Sequence, residues 1–124
     1  MAYISNLIFT ETERAHLEFV LQYPFANRAS IVDQLNNMRA EEVLRDITPY
    51  YWIMEFRPNG VNPGHGPMGV RICIEVHHGN GTAPTLFTLF ERNGFVFELE
   101  IYNADSSAMD LNQIMRGEIR PYYK

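Results

Sequence analysis

Two strand-forming runs on either side of Asn93-Gly94 constrain the fold of this chain more than any other feature of its sequence. The runs, Thr85–Arg92 and Phe95–Tyr102, are rich in β-branched and aromatic residues, which favour strands. An Asn-Gly pair suits a two-residue type I′ turn, because both central residues of that turn need positive φ. The segment is therefore predicted to be a β-hairpin.

A two-residue turn fixes which residues of the hairpin lie opposite each other. The predicted pairs are Arg92 with Phe95, Phe90 with Phe97, Thr88 with Leu99 and Leu86 with Ile101. Because side chains alternate across a strand, these pairs share one face, which is almost wholly apolar and is predicted to face the core. The opposite face is predicted to carry Glu98, Glu100, Tyr102, Leu89, Phe87 and Glu91.

The N-terminal third of the chain indicates two helices. Thr10 and Glu13 form a capping-box pattern, and the helix that follows is predicted to run to about Tyr23, where a proline ends it. A short second helix is predicted from an N-cap at Ser30. From Glu41 the pattern fits a third helix or a first strand. A strand is favoured because the segment continues into a run of strand formers.

Two further strands are predicted before the hairpin, at Tyr50–Arg57 and at Val70–His77, where apolar and polar residues alternate. A long loop rich in proline and glycine, Pro58–Gly69, joins them. Sequential strands usually pair as neighbours. The chain is therefore predicted to be a single α+β domain, residues 1–124, with two N-terminal helices packed on one face of a four- to five-stranded antiparallel meander.

Composition and charge limit the kind of partner. The chain has 124 residues and a net charge of −5, which disfavours nucleic acid or an anionic membrane as the main partner and favours a basic one. No apolar run approaches the roughly 20 residues that span a bilayer. The N-terminus lacks a secretion-signal pattern, and a single cysteine excludes an internal disulfide. A cytoplasmic protein is expected.

The open face of the predicted sheet carries the strongest functional signal. Carboxylates interleaved with aromatic side chains suit the surface of a basic protein. Tyr102, Phe87 and Trp52 are the expected anchors, and Glu55 joins the face in one of two registers of its strand. The alternative is a solvated face on which glutamates only provide solubility. The predicted partner-binding residues are Glu55, Glu75, Glu98, Glu100, Tyr102, Phe87 and Trp52.

Metal-binding and catalytic chemistry have weaker support. The pair His77-His78 has neither metal-site spacing nor one shared face, because adjacent strand residues point to opposite faces. Cys73 lies in a strand-like run, which favours a buried, unreactive thiol. His16 is predicted at the surface or its boundary. We therefore predict no enzyme, catalytic residue, metal or cofactor; a cryptic hydrolase around His65, His77 or Cys73 is the alternative.

The end of the hairpin resembles a recurring ending in small bacterial proteins. This segment, Phe97 to Asp105, has an apolar residue followed by E-L-E-I-Y and a polar turn. It is similar to the corresponding segment of small acidic α+β proteins of unknown function. Several of these are encoded beside toxins of contact-dependent growth-inhibition or polymorphic toxin systems and are thought to be immunity proteins. The resemblance implies a protein that binds and neutralises a basic toxin, for example a nuclease. A small-ligand-binding or regulatory domain and a homodimer through the same face remain alternatives.

Overall fold

The computed structural model describes residues 2–58 and 66–124. These residues form one antiparallel sheet with the strand order β1-β2-β5-β4-β3-β6, preceded by two helices. The α+β class with two N-terminal helices and an antiparallel sheet is confirmed. The elements are α1 (Glu11–Leu21), α2 (Arg28–Asn36), β1 (Val43–Ile47), β2 (Tyr51–Phe56), β3 (Gly69–His77), β4 (Thr85–Arg92), β5 (Phe95–Asn103) and β6 (Glu118–Tyr123).

The described sheet has more strands than predicted and is not a simple meander. Strand β2 pairs with β5 instead of β3, so β1 and β2 form a hairpin added to the edge of a β3-β4-β5 meander. The additional strand, β6, comes from the C-terminal segment, which contains Pro121 and gave no strand signal. Proline is tolerated there because β6 is an edge strand. The predicted loop Pro58–Gly69 falls mostly on residues 59–65, which lie outside the described residues.

The capping box at the start of α1 is confirmed, because the Thr10 hydroxyl accepts a hydrogen bond from the Glu13 amide and the Glu13 carboxylate accepts one from the Thr10 amide. Helix α1 ends at Leu21, slightly earlier than predicted. Helix α2 begins before the predicted cap at Ser30, because Asn27 adopts positive φ and turns the chain into the helix. Asparagine is one of the few residues that tolerate this conformation.

The Glu13 carboxylate also ties α1 to the edge strand β1. It is 2% exposed and binds the Arg45 guanidinium through both oxygens, one of them at 3.0 Å. Burial alone would raise the pKa of Glu13. The hydrogen bonds from Arg45 and Thr10 outweigh that effect and hold the pKa below its usual value. One side chain therefore both caps α1 and fixes its position on the sheet.

The core lies between the helices and one face of the sheet. Leu17 and Leu21 of α1 and Ile31 and Leu35 of α2 are fully buried. They belong to the same buried cluster as the strand residues of the helix-facing side. Because strand residues alternate between faces, this cluster identifies the side of each strand that the helices cover. The strand residues include Met54, Phe56, Ile72, Ile74, Phe87, Leu89, Leu99 and Ile101.

A β-bulge changes the predicted register of the hairpin. Arg92 lies opposite Phe95 as predicted, but Phe90 lies opposite Glu98, and Phe97 is an extra residue on β5. A bulge of this kind places two residues of one strand opposite one residue of the other. Every pair beyond it is therefore shifted by one position along β4, which exchanges the two faces of that strand.

The exchange corrects the predicted faces of β4. Phe87 and Leu89, predicted on the open face, are fully buried in the core. Glu91, also predicted there, is 7% exposed and accepts hydrogen bonds from Arg71 and from Asn27 beside α2. Leu86 and Phe90, predicted in the core, are half-buried on the other face. Strand β5 keeps its predicted orientation between Glu98 and Tyr102.

Trp52 and His16 lie in the core, contrary to the prediction for each. Trp52 is 7% exposed and His16 is 1% exposed, and their rings meet edge to face with 4.6 Å between centroids. Burial lowers the pKa of His16 to about 4, although the nearby Glu13 carboxylate acts in the opposite direction. His16 is therefore held as a neutral aromatic core residue.

We expect His16 to make the fold less stable in mild acid. Its pKa is about 4 in the fold against 6.5 ordinarily, so as the pH falls below 6.5 the unfolded chain binds a proton that the folded chain does not. This favours unfolding by about 1.4 kcal/mol per pH unit, or about 2 kcal/mol between pH 6.5 and pH 5. The variant His16→Phe lacks this protonation. Urea unfolding should therefore show that its free energy of unfolding, relative to that of the wild type, increases by that amount between pH 6.5 and pH 5. A difference independent of pH would contradict the prediction.

Candidate partner-binding face

The sheet face turned away from α1 and α2 is called the open face here. The strand pairing arranges its side chains in three rows that cross the sheet. Because directly opposed residues share a face, neighbours within a row lie side by side. From β1 towards β6 the rows are Leu44, Glu55, Glu98, Phe90 and Val70; Asp46, Ile53, Glu100, Thr88, Cys73 and Tyr122; and Tyr51, Tyr102, Leu86, Glu75 and Arg120.

The structure places five of the seven predicted binding residues on the open face: Glu55, Glu75, Glu98, Glu100 and Tyr102. Phe87 and Trp52 are excluded because both are buried on the helix side. Trp52, Met54 and Phe56 form the buried set of β2, which is the register that brings Glu55 outward. The half-buried residues Ile53, Tyr51, Phe90, Phe97 and Leu86 were missed. The alternation in β2 could have identified Tyr51 and Ile53.

Three of the glutamates form a carboxylate cluster, defined as Glu55, Glu98 and Glu100. Glu55 lies directly opposite Glu98 on the neighbouring strand, and Glu100 follows two residues along β5 on the same face. Like charges directly opposite each other destabilise a sheet. Partial burial, followed by the charges of Glu100 and Glu55, raises the pKa of Glu98 to about 7, against the effect of Arg92. The cluster therefore concentrates negative charge at a cost to the fold.

We expect Glu98→Gln to stabilise the protein at alkaline pH and to do so less as the pH falls. The pKa of Glu98 is about 7 in the fold against 4.5 ordinarily. Between these pH values the folded chain binds a proton that the unfolded chain does not, and the stability that this proton provides is lost as the pH rises through 7. Because the carboxyl is partly solvated, the gain at pH 8 should be about 1 kcal/mol and should disappear near pH 4.5. Urea unfolding at the two pH values measures this gain in stability, and Glu41→Gln, at an exposed position, is the control. An equal gain at both would contradict the assignment.

Glu75 stands apart from the cluster, because strand β4 separates it from β5. Its carboxylate contacts His77 Nε2 at 2.8 Å, and Arg120 of β6 lies opposite it. Glu55 also has a cationic neighbour, Arg57, at 3.1 Å. Glu98 also has a cationic neighbour, Arg92, and its pKa is raised to about 7. The negative charge of the open face is therefore centred on β5, at Glu100 near pH 7 and at both Glu98 and Glu100 at higher pH.

Apolar and aromatic side chains flank the cluster. On β4, Phe90 lies directly opposite Glu98, and Leu86 is diagonal to Glu100, beyond Thr88. On β2, Ile53 lies directly opposite Glu100. The Arg92 guanidinium stands over the Phe97 ring, 4.2 Å from its centroid. A charged centre with apolar and aromatic neighbours is the composition expected of a protein-binding surface.

Among the residues that the structure describes, the histidines and the cysteine do not converge on a reactive centre. His78 contacts the Arg116 carbonyl and the Thr85 hydroxyl, both at 2.8 Å, whereas His77 contacts Glu75. Cys73 is half-buried on the open face, not buried as predicted. Within residues 2–58 and 66–124 no group of three or more His, Cys, Asp or Glu side chains has the arrangement of a metal site. His65 lies outside the described residues.

A cavity of about 460 Å³ lies at the end of the sheet, lined in part by His78, Thr85, Asn103, Ser107 and Ile114. The Thr85 hydroxyl donates to the side-chain oxygen Oδ1 of Asn103 at 2.6 Å, and the side-chain nitrogen Nδ2 of Asn103 donates to the Ala108 carbonyl at 3.1 Å. Together with the His78 contacts, these bonds join the cavity wall into one network. The polar groups of this cavity therefore stabilise the loops, and the open face is the stronger candidate site.

Among the described residues, neither α1 nor α2 has the length and apolar character of a membrane-spanning helix. No family model, curated protein sequence or solved structure matches this chain.

Proposed function

We propose that this protein binds a basic protein through its open face, in the manner of an immunity protein that neutralises a toxin. The observation that carries the proposal is the carboxylate cluster of Glu55, Glu98 and Glu100, set among half-buried apolar and aromatic residues. A partner that presents lysine or arginine side chains would convert repulsion within the cluster into attraction across an interface.

The charge of the whole chain supports the same kind of partner. A net charge of −5 attracts a basic protein at long range and speeds its association, and this effect weakens as salt is added. A nuclease toxin fits this description, because its lysine and arginine side chains hold phosphates and would be occupied by the carboxylates instead. Nucleic acid itself is disfavoured, because the carboxylate cluster would repel its phosphates.

A homodimer through the open face is disfavoured by the same charges. Two copies related by a twofold axis present the same patch to each other, which would bring two carboxylate clusters together. Like-charge contacts across an interface cost binding energy. A stoichiometric complex with a basic partner is therefore the better proposal, and its mechanism is occlusion of the partner's working surface.

The proposal is tested with the product of the neighbouring gene. Expression of that product alone should inhibit growth, and co-expression with this chain should restore it. Size-exclusion chromatography with light scattering should then show a complex of the two proteins. Growth inhibition that this chain does not relieve, together with separate elution of the two proteins, would contradict the proposal.

A further inference from the structure

A small cavity on the open face combines three tyrosines with a carboxylate. It has a volume of about 260 Å³ and is lined by Tyr50, Tyr51, Ile53, Glu100, Tyr102 and Ser106. Tyr51 and Tyr102 are cross-strand neighbours, as are Ile53 and Glu100. Glu100 also belongs to the carboxylate cluster, so the cavity opens beside it. We call this cavity the tyrosine cage.

We propose that the tyrosine cage receives an arginine side chain of the basic protein partner. This inference rests on the proposed function and adds to it the chemical group that the open face recognises. The remainder of the cluster would then meet other basic groups of the same partner. The cage would be the packed anchor of the interface, a role that the sequence analysis assigned to Tyr102, Phe87 and Trp52, of which only Tyr102 lines the cage.

The chemistry of the lining favours a cation. The π-faces of aromatic rings attract cations, and arginine is the most frequent natural partner in such contacts. Glu100 supplies a formal negative charge that can accept guanidinium hydrogen bonds in pairs. Burial, followed by the charge of Glu100, raises the pKa of Tyr102. An anionic group would meet Glu100 unfavourably.

The volume of the cage favours a single side chain as its occupant. Sites for drug-sized molecules usually measure about 300–1,000 Å³, and 260 Å³ falls below that range. A planar guanidinium on a slim aliphatic stem can enter such a space and keep its backbone outside. A protein partner is therefore a better source of the cation than a free metabolite.

Hydrogen bonds hold the rim of the cage before any partner binds. The Thr48 hydroxyl oxygen accepts from the amides of Tyr50 and Tyr51, at 3.1 and 3.2 Å. The Pro49 carbonyl accepts from the Met109 amide at 2.8 Å, which fastens the turn between β1 and β2 to the segment after β5. The Tyr51 hydroxyl donates to Asp46 at 3.2 Å. Because these groups are already ordered, less entropy is lost when a side chain enters.

A pair of isosteric compounds, one charged and one neutral, tests the inference without the partner. The isotopically labelled protein is titrated with N-acetylarginine amide and, separately, with N-acetylcitrulline amide, which has the same shape and no charge. The arginine compound should bind at least about fivefold more tightly, with saturable NMR shifts at Tyr51, Ile53, Tyr102 and Ser106. Equal binding of the two compounds, or shifts spread over the whole protein, would overturn the inference, as would no saturable shift at all.

A matched pair of variants locates the cation. Tyr50 is 57% exposed, so its replacement should leave the fold intact. Tyr50→Phe keeps the ring and should retain binding of N-acetylarginine amide, whereas Tyr50→Ala should weaken it several-fold. Equal binding by both variants would overturn the assignment to the cage.

The two proposals can fail separately. If the neighbouring gene product forms a complex that tolerates Tyr50→Ala, and N-acetylarginine amide does not bind, the open face keeps its proposed function and the cage loses its role. If the arginine compound binds and no complex forms, the cage recognises guanidinium groups and the partner has been wrongly assigned. Nα-acetyl-lysine amide, which keeps its charged ε-ammonium group, is titrated in parallel. If it binds as tightly as the arginine compound, any cation suffices and the preference for arginine is wrong.

Discussion

Replacing Phe87 by alanine is expected to lower the free energy of unfolding by about 4 kcal/mol, whereas Phe90→Ala should cost only about 1 kcal/mol. Phe87 is fully buried and contacts the rings of Phe19 and His16, with centroids 4.8 and 6.1 Å away. Its loss leaves a cavity that the helices and sheet cannot readily fill. Phe90 is half-buried on the open face, and water can occupy the space that it vacates.

This pair of variants discriminates between two registers of the same hairpin. Without the bulge at Phe97, Phe90 would lie in the core and Phe87 on the open face, and the order of the two effects would reverse. Leu89→Ala and Leu86→Ala repeat the comparison with a smaller side chain, because only Leu89 is fully buried. Urea unfolding measures all four variants. Equal losses for Phe87→Ala and Phe90→Ala would contradict the bulged register.

Reversing the charge at the centre of the open face should have the largest effect on partner binding. With Glu98→Lys and Glu100→Lys together, we expect the dissociation constant of the complex with the neighbouring gene product to rise about a hundredfold at low salt. The variant should still fold, because the change removes the repulsion between Glu55 and Glu98. Isothermal titration calorimetry at low and high salt measures the constant.

A control for net charge accompanies this variant. Glu11→Lys and Glu41→Lys together change the charge of the chain by the same amount at exposed positions outside the open face. That control should weaken binding only slightly, and added salt should remove its effect, because it acts only at long range. Equal losses in the two double variants would show that net charge matters and the position of the carboxylates does not.

The sequence was sufficient for those features that depend on neighbouring residues. The capping box of α1 depends on Thr10 and Glu13, which are three positions apart. The hairpin turn depends on Asn93 and Gly94, both of which have positive φ. The outward placement of Glu98 and Glu100 also follows from alternation along β5, because the bulge lies before Glu98 and leaves the rest of the strand in phase.

The features that the sequence did not predict depend on contacts between distant segments. Both faces of β4 carry one leucine and one phenylalanine over residues 86–90, Leu86 and Phe90 on one and Phe87 and Leu89 on the other, so either face could be the buried one. Only pairing with β5 through the bulge decides between them. The pairing of β2 with β5 is likewise not encoded in either strand alone.

The candidate site was predicted in its charges but, among its aromatic residues, only in Tyr102. Glutamate has few reasons to be buried, so the positions of Glu55, Glu98 and Glu100 could be inferred from strand patterns. Aromatic residues serve cores and interfaces equally well, and Trp52 and Phe87 serve the core. The tyrosine cage forms because the turn before Tyr50 and Tyr51 places them beside Tyr102. Tyr102 is distant from them in the sequence, so no local pattern predicts the contact.

The central claim, that a basic partner covers the open face, is tested most directly by NMR of the isotopically labelled protein with the unlabelled product of the neighbouring gene. We predict that signals of Ile53, Glu98, Glu100 and Tyr102 shift or broaden in the complex, while those of α1 and α2 away from the sheet stay unchanged. Changes confined to the helices, with the signals of β2 and β5 unaffected, would contradict the claim.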